Sequence, residues 1–261
     1  MIRMSNKIIP TTEKINRVVS FEQVKSNSEI KALIETANQS LALMGFTDHG
    51  RRHVSYTSKT AANILKALGY SQREQELAAI TGYLHDVGNC INRKNHGLTG
   101  AMLAYEILSR MKMDPNEVIM ITGAIGNHEE ETGTPLTAVS AASAIADKSD
   151  AHKSRVSKQA LENPEIAKQD IHNRVNLSIL KNFITVDKEN KIIKLKIFMD
   201  TKISSPMEFL QIYMLRMTMC ENAAKLLGCS FELIINRTAI NKSAPPTGDV
   251  LQQGETNVSD E

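Results

Sequence analysis

From Ser26 to about residue 152 the chain passes through six apolar periods of helical spacing, each punctuated by capping residues. That succession confines its N-terminal part to a helical body. Ser26-Asn27-Ser28-Glu29 has the order of a capping box and opens a period of Ile30, Leu33, Ile34, Ala37, Leu41 and Met44, with Gly45 as the stop. A second helix begins near His49–His53 and carries Val54, Ala61, Ile64, Leu65 and Leu68 to Gly69. Ser71-Gln72-Arg73-Glu74 is another capping box; its helix holds Leu77, Ile80 and Leu84, runs into His85-Asp86 and stops at Gly88. After a loop rich in Asn, Arg and Lys, a fourth helix spans roughly 98–111. Asp114-Pro115-Asn116-Glu117 places a cap, a first-turn proline and an acidic third position ahead of Val118, Ile121 and Ile125, with His128 at the far end. The sixth helix, Ala-rich, covers about 136–152 and contains Asp147.

Beyond residue 152 the texture changes. Residues 153–175 are polar, whereas Leu177–Thr185 and Lys191–Met199 are rich in β-branched residues. In the second run Ile193, Leu195, Ile197 and Met199 alternate with Lys194 and Lys196, and Asp187–Asn190 reads as a hairpin turn. A long helix is expected over 206–227, with Met207, Leu210, Met214, Met217, Ala224 and Leu227 on one face, and then a strand Phe231–Asn236. The expected fold class is mainly α: a helical bundle with a small C-terminal α+β (ββαβ) unit. The domain reading is an N-terminal extension and helix (1–48), a helical metal-binding domain (49–155), a linker (156–176), a small α+β domain (177–242) and a disordered tail (243–261).

Composition narrows the function classes. The apolar share of 41% and charged share of 23% are those of an ordinary globular protein. A formal charge of +2 carries no electrostatic footprint for nucleic acid or a membrane surface, and the absence of Trp argues against base-stacking platforms. Cys90, Cys220 and Cys229 form no CxxC, which fits a reducing, cytoplasmic setting. No stretch approaches the roughly 20 apolar residues that span a bilayer, and the opening MIRMSNKIIPTTEK has no secretory apolar run.

The chemistry lies in the histidines. There are seven, and four of them (His53, His85, His96 and His128) fall at ends of successive helices, in the company of Asp86 and Asp147. Imidazole nitrogen mixed with carboxylate oxygen suits divalent Fe, Mn, Co, Ni or Zn. Several helix ends can converge on one ion while the helix flanks pack a core. Alone, each of these residues would read as an ordinary cap or surface group. His49 reads as an outer hydrogen-bonding or substrate residue, and His152 and His172 as solvent-facing. Glu129, Glu130 and Glu131 read as a solvated face, with Glu129 placed to orient the His128 ring or a water. The methionine stripe of 207–217 reads as core or dimer interface, and Cys220 as a buried apolar group.

Taken together, residues 49–155 resemble an HD-domain metal-dependent phosphohydrolase. The resemblance rests on His53 in HGRRHVSYTSKTA, the doublet His85-Asp86 in GYLHDVGN and Asp147 in AIADKSD. His96 in NHGLTGA and His128 in GNHEE are similar to the added histidines of two-ion members. The short doublet-to-His spacing and the ADKSDAHKSR ending most resemble the YqeK-like group, which hydrolyses symmetrical dinucleoside tetraphosphates. By this resemblance His53, His85, Asp86, His96, His128 and Asp147 hold one or two divalent ions (Fe, Mn, Co, Ni, Zn or Mg). Asp86 is the catalytic residue shared between them, and Arg52, Asn89, Lys94, Lys148 and Arg155 bind substrate. Arg51 and Arg93 are further candidates to neutralise phosphate.

Two departures stand out. Asn89 occupies the place where many relatives carry Lys, and Asn127 precedes His128 where some cyclic-dinucleotide phosphodiesterases have a second His. The expectation is therefore a divalent-metal-dependent phosphohydrolase acting on a phosphoester of a small nucleotide-like substrate. The alternative is a non-catalytic HD-type sensor or scaffold, motivated by Asn89, in which the C-terminal unit mediates homodimerisation.

Overall fold

The computed structural model describes residues 18–156, 161–163, 165 and 169–241. The expected tail 243–261, most of the N-terminal extension and part of the expected linker lie outside the described residues. The helical body comprises α1 (Phe21–Ser26), α2 (Ser28–Leu43), α3 (Arg51–Leu68), α4 (Gln72–Leu84), α5 (His96–Arg110), α6 (Pro115–Gly126) and α7 (Ala138–Lys148). A short 3-10 turn, Val87–Cys90, follows the doublet. Then come α8 (Ile171–Ser178), β1 (Ile179–Asp187), β2 (Ile192–Met199), α9 (Pro206–Leu226), β3 (Ser230–Ile235) and the two-residue β4 (Thr238–Ala239). A mainly helical body with a small C-terminal α+β unit is thus what the chain adopts. Among the described residues no helix is long and apolar enough to cross a membrane.

Local chemistry explains most boundaries. Ser71 accepts from the Glu74 amide while Glu74 reaches back to the Ser71 amide, so two otherwise orphaned donors are satisfied at the start of α4. Asp114 caps α6, with Pro115 in its first turn. Two expectations need correction. Ser26 does not cap α2; it ends α1, a helix the sequence pattern did not show, and Asn27 caps α2 by accepting from the amides of Glu29 and Ile30. Helix α5 starts at His96 rather than 98, because Asn95 adopts φ 60° and turns the chain directly into the helix. A short polar side chain tolerates that left-handed conformation better than most.

The sheet has the order β1-β2-β3-β4, with β1–β2 and β3–β4 antiparallel and β2–β3 parallel across the α9 crossover. Asp187 accepts from the amide and the side chain of Asn190 and so shapes the hairpin turn. Ile193, Leu195, Ile197 and Met199 face inward, as their alternation requires. Helix α9 keeps Leu210, Met217, Ala224 and Leu227 of the expected face against the core and departs from it at two methionines. Met207 and Met214 are 73% and 52% exposed, while Phe209, Tyr213, Met217, Cys220 and Ala224 are buried. The stacked rings of Phe209 and Tyr213, 4.5 Å apart, anchor that face, and large aromatic area outweighs the flexible methionines. One continuous apolar core runs from α3, α4 and α7 through α9 to the sheet. Cys90, Cys220 and Cys229 are all unpaired.

Candidate metal centre

Helices α3, α4, α5 and α7, with the turn after α6, bring one side chain each to a common point. His53 lies in the first turn of α3, His85 caps the end of α4 and Asp86 follows it. His96 is the first residue of α5, His128 follows the end of α6, and Asp147 sits in the last turn of α7. All four imidazoles and Asp86 are buried, in a part of the protein where polar groups need partners. Gly88 permits the approach of α5: a Cβ there would lie 2.0 Å from the His96 carbonyl oxygen.

The outer nitrogen of every ring faces an acceptor. Nδ1 of His53 lies 2.7 Å from Asp150 Oδ2, and Nδ1 of His85 lies 3.0 Å from the Gly82 carbonyl. Nδ1 of His96 lies 3.0 Å from the Arg93 carbonyl and that of His128 2.6 Å from the Ile125 carbonyl. Carbonyls and carboxylates only accept, so Nδ1 carries the hydrogen in each ring and Nε2 turns a lone pair inward. Those lone pairs meet: His53 and His85 Nε2 are 3.1 Å apart, and His96 and His128 Nε2 are 3.0 Å apart. Two such lone pairs repel unless a proton or a metal cation lies between them.

Asp86 links the two pairs. Its Oδ2 is 3.5 Å from His53 Nε2 and 3.3 Å from His85 Nε2, and Asp147 Oδ1 stands 3.4 Å from each of those nitrogens. Its Oδ1 is 3.2 Å from His96 Nε2 and 3.8 Å from His128 Nε2. Ligands about 2.0–2.1 Å from a single ion lie about 2.9–3.4 Å from one another, so the first set fits closely and the second a little more loosely. Asp86 Oδ2 is also buried with no hydrogen-bond partner, as a ligand oxygen would be. The donor set is nitrogen and oxygen throughout, which fits borderline divalent ions rather than a zinc-thiolate site.

Electrostatics point the same way. Burial opposes charge on His85, but Asp86 and Asp147 outweigh it and push that imidazole up to about 10. Burial raises the carboxyls too, yet His85 and the neighbouring rings hold Asp86 well below the usual carboxylate range, and Lys148 with His85 does so for Asp147. Burial and the surrounding cations depress His128.

The other sequence-derived residues fall into different places. Asn89 is buried beneath Asp86 and donates to its Oδ1 at 3.0 Å, so it braces the carboxylate and does not line the cavity. Arg52 pairs with Asp150 and is also absent from the cavity lining. Lys148, Lys94 and Arg155 line a cavity of about 320 Å³ beside the centre. The Lys148 ammonium is engaged by Asp147 at 2.8 Å and Glu130 at 2.6 Å. Arg155 donates to the Asp150 carbonyl and to His49 Nε2, both at 2.8 Å. Glu129 accepts from the Gly97 amide, and its Oε1 lies 3.3 Å from His96 Nδ1.

Three contributors escaped the sequence reading. Asp150, which holds His53, was visible only as the last acid of AIADKSD. Glu130 passed as part of a solvated acidic run, and Arg216, 3.1 Å from Glu130 through Nε, sits on a helix far along the chain. Nothing in its local sequence marks Arg216.

Comparison with known families bears on this arrangement, for residues 51–171 match the HD domain family. The chain carries an HD domain. HD domains form a superfamily of metal-dependent phosphohydrolases, and the match runs from the first residue of α3 to the first of α8. The sheet and α9 lie outside it. A similar protein is an uncharacterized protein of Methanocaldococcus jannaschii, 26% identical over 106 residues, which cover 35% of this chain and 41% of that protein. The chain therefore spans about two fifths of that relative's length. The HD domain here has its histidines and aspartates clustered in three overlapping groups able to hold metal: His53-His85-Asp86, His85-His128-Asp147 and Asp86-His96-His128.

Proposed function

We propose that this protein hydrolyses a phosphoester of a small, nucleotide-like substrate at a pair of divalent ions held by His53, His85, Asp86, His96, His128 and Asp147. The observation that carries the proposal is the division of Asp86, whose two oxygens address two separate imidazole pairs. Ions held there would supply Lewis acidity toward phosphoryl oxygens and activation of a water. The chain's own groups do the rest. Asp150, Gly82, Arg93 and Ile125 fix the ring tautomers, so every Nε2 is pre-aimed and no reorganisation is required during the reaction. Asn89 fixes the Asp86 carboxylate. Lys94, Lys148 and Arg155 place positive charge along the cavity where substrate phosphate would sit, and Arg52 acts at one remove by holding Asp150. The polar lining, with the acids Glu129, Glu130 and Glu131 among the cations, suits a small charged substrate.

The test is direct. Purified protein carries a transition metal by elemental analysis and releases phosphate from a nucleotide panel when supplied with Mn or Fe, and His85→Ala and Asp86→Ala each lose that activity by more than about 100-fold, beyond the loss usual for an outer hydrogen-bonding partner. Nucleotide binding without turnover across the whole panel would instead support a sensor.

A further inference from the structure

Helix α9 turns Phe209, Tyr213, Met217 and Cys220 against the core, and Arg216 lies beside that face, three residues from Tyr213 and four from Cys220. Its guanidinium carbon is 4.9 Å from the centre of the Tyr213 ring, and its Nε is 3.1 Å from Glu130 Oε1. The side chain, 29% exposed, lines the same cavity as Asp86, His96, His128, Asp147 and Lys148. Its two terminal nitrogens have no hydrogen-bond partner among the described residues. Of the other cations on this wall, Lys94 is a point charge without the planar fork of a guanidinium, and the remaining three are more committed. Lys148 is shared between Asp147 and Glu130, Arg155 is spent on Asp48, Asp150 and His49, and Arg93 directs Nη1 at Asn89 and the His96 ring.

We infer that Arg216 is a phosphate-binding residue supplied to the HD-domain site by the C-terminal unit, taking a non-bridging phosphoryl oxygen on its terminal N–H groups. The inference rests on the phosphohydrolase reading for the identity of the ligand. Glu130 and the Tyr213 ring fix the guanidinium before anything binds, which limits the entropy lost when the ligand arrives. Glu130 also grips Lys148, so one carboxylate spaces two cations along the cavity wall. The α+β unit is then part of the site and not merely an attachment to it.

The experiment titrates inorganic phosphate into the Mn-loaded, full-length protein by calorimetry, with Mn stoichiometry and thermal melting followed in parallel. Arg216→Gln weakens phosphate binding about 10- to 100-fold, the loss expected for a charge-assisted contact, and leaves bound Mn unchanged. Glu130→Gln keeps an acceptor for the guanidinium Nε but removes the carboxylate charge, and it loses less phosphate affinity than Arg216→Gln because the guanidinium remains. Arg216→Lys, which keeps charge but not the planar fork, loses at least about threefold and serves if the Gln variant does not fold. Phosphate affinity unchanged in the Arg216 variants, or Glu130→Gln as weak as Arg216→Gln, would overturn the inference and leave Arg216 as a brace for Glu130. Absence of phosphate binding by the parent protein overturns it as well. Arg216-dependent phosphate binding without hydrolysis of any ester sinks the enzymatic reading alone.

Discussion

On one side of Asp86 the imidazoles of His53 and His85 face a second carboxylate, Asp147, and His53 is backed by a third, Asp150. On the other side His96 and His128 face Asp86 most closely and are backed by the carbonyls of Arg93 and Ile125, with Glu129 Oε1 3.3 Å from His96 Nδ1 and the Arg93 guanidinium 3.2 Å from His96 Nε2. The donor separations differ as well: they reach 3.5 Å in the first half and 3.8 Å in the second. Tighter donor spacing and the direct addition of Asp147 favour ion binding in the first half, and the Lys148 ammonium beside Asp147 and Arg52 beside Asp150 offset part of that charge. The two halves share a ligand, and were ions to occupy both as proposed, the first would retain its ion and the second would hold one less firmly beside the open cavity.

The comparison breaks most sharply through the ligands. His53→Ala empties the first half and, because Asp86 then faces His85 without its partner, reduces bound metal to less than one ion per chain. His96→Ala reduces it from two to one and leaves the tighter ion in place. Elemental analysis after desalting separates these outcomes, and equal losses from both variants would erase the asymmetry. A smaller effect is expected from Asp150→Asn, which keeps the shape but removes the charge behind His53. It weakens the first ion about 10- to 100-fold and the second hardly at all, as titration with Mn would show.

The smallest expected effect sharpens the electrostatic side. In chelated protein, against the opposing cost of burial, Asp86 and Asp147 push His85 from the ordinary 6.5 up to about 10. A raised folded-state value means that the proton's contribution to folding stability is complete below about pH 6.5 and is lost as pH rises through about 10. Ion binding needs the neutral imidazole, so uptake displaces that proton and first-half affinity increases with pH across the same window. Calorimetry in buffers of differing ionisation enthalpy would register proton release near neutral pH. An affinity flat in pH would place the proton elsewhere.

Much of this was legible in the chain. The capped helical periods anticipate α2 to α7 within a few residues, and the inward face of β2 follows from Ile193, Leu195, Ile197 and Met199 alternating with lysines. Where local signals competed, the reading slipped. Ser26 and Asn27 both suit a cap, and the choice was settled by α1, which starts from the Ser20–Gln23 capping box and takes in Ser26 as its last residue, leaving Asn27 between the two helices. The α9 face was read correctly at Leu210, Met217, Ala224 and Leu227 and missed at Met207 and Met214, because its methionines and aromatics form rival stripes and only packing against α7 and the sheet selects between them. Asn89 was assigned to substrate from its place in a motif, whereas the turn after the doublet carries its amide under Asp86.

The sequence by itself determined the donors: helix-end histidines and aspartates at fixed places in a local code of caps and periods, legible because hydrogen bonding within a few residues sets where each helix stops. Tertiary structure decided how those donors divide, which nitrogen of each ring points inward, and that Asp150, Glu130 and Arg216 stand behind them. These are contacts between elements far apart in the chain, fixed by how apolar faces pack, and no local pattern encodes them.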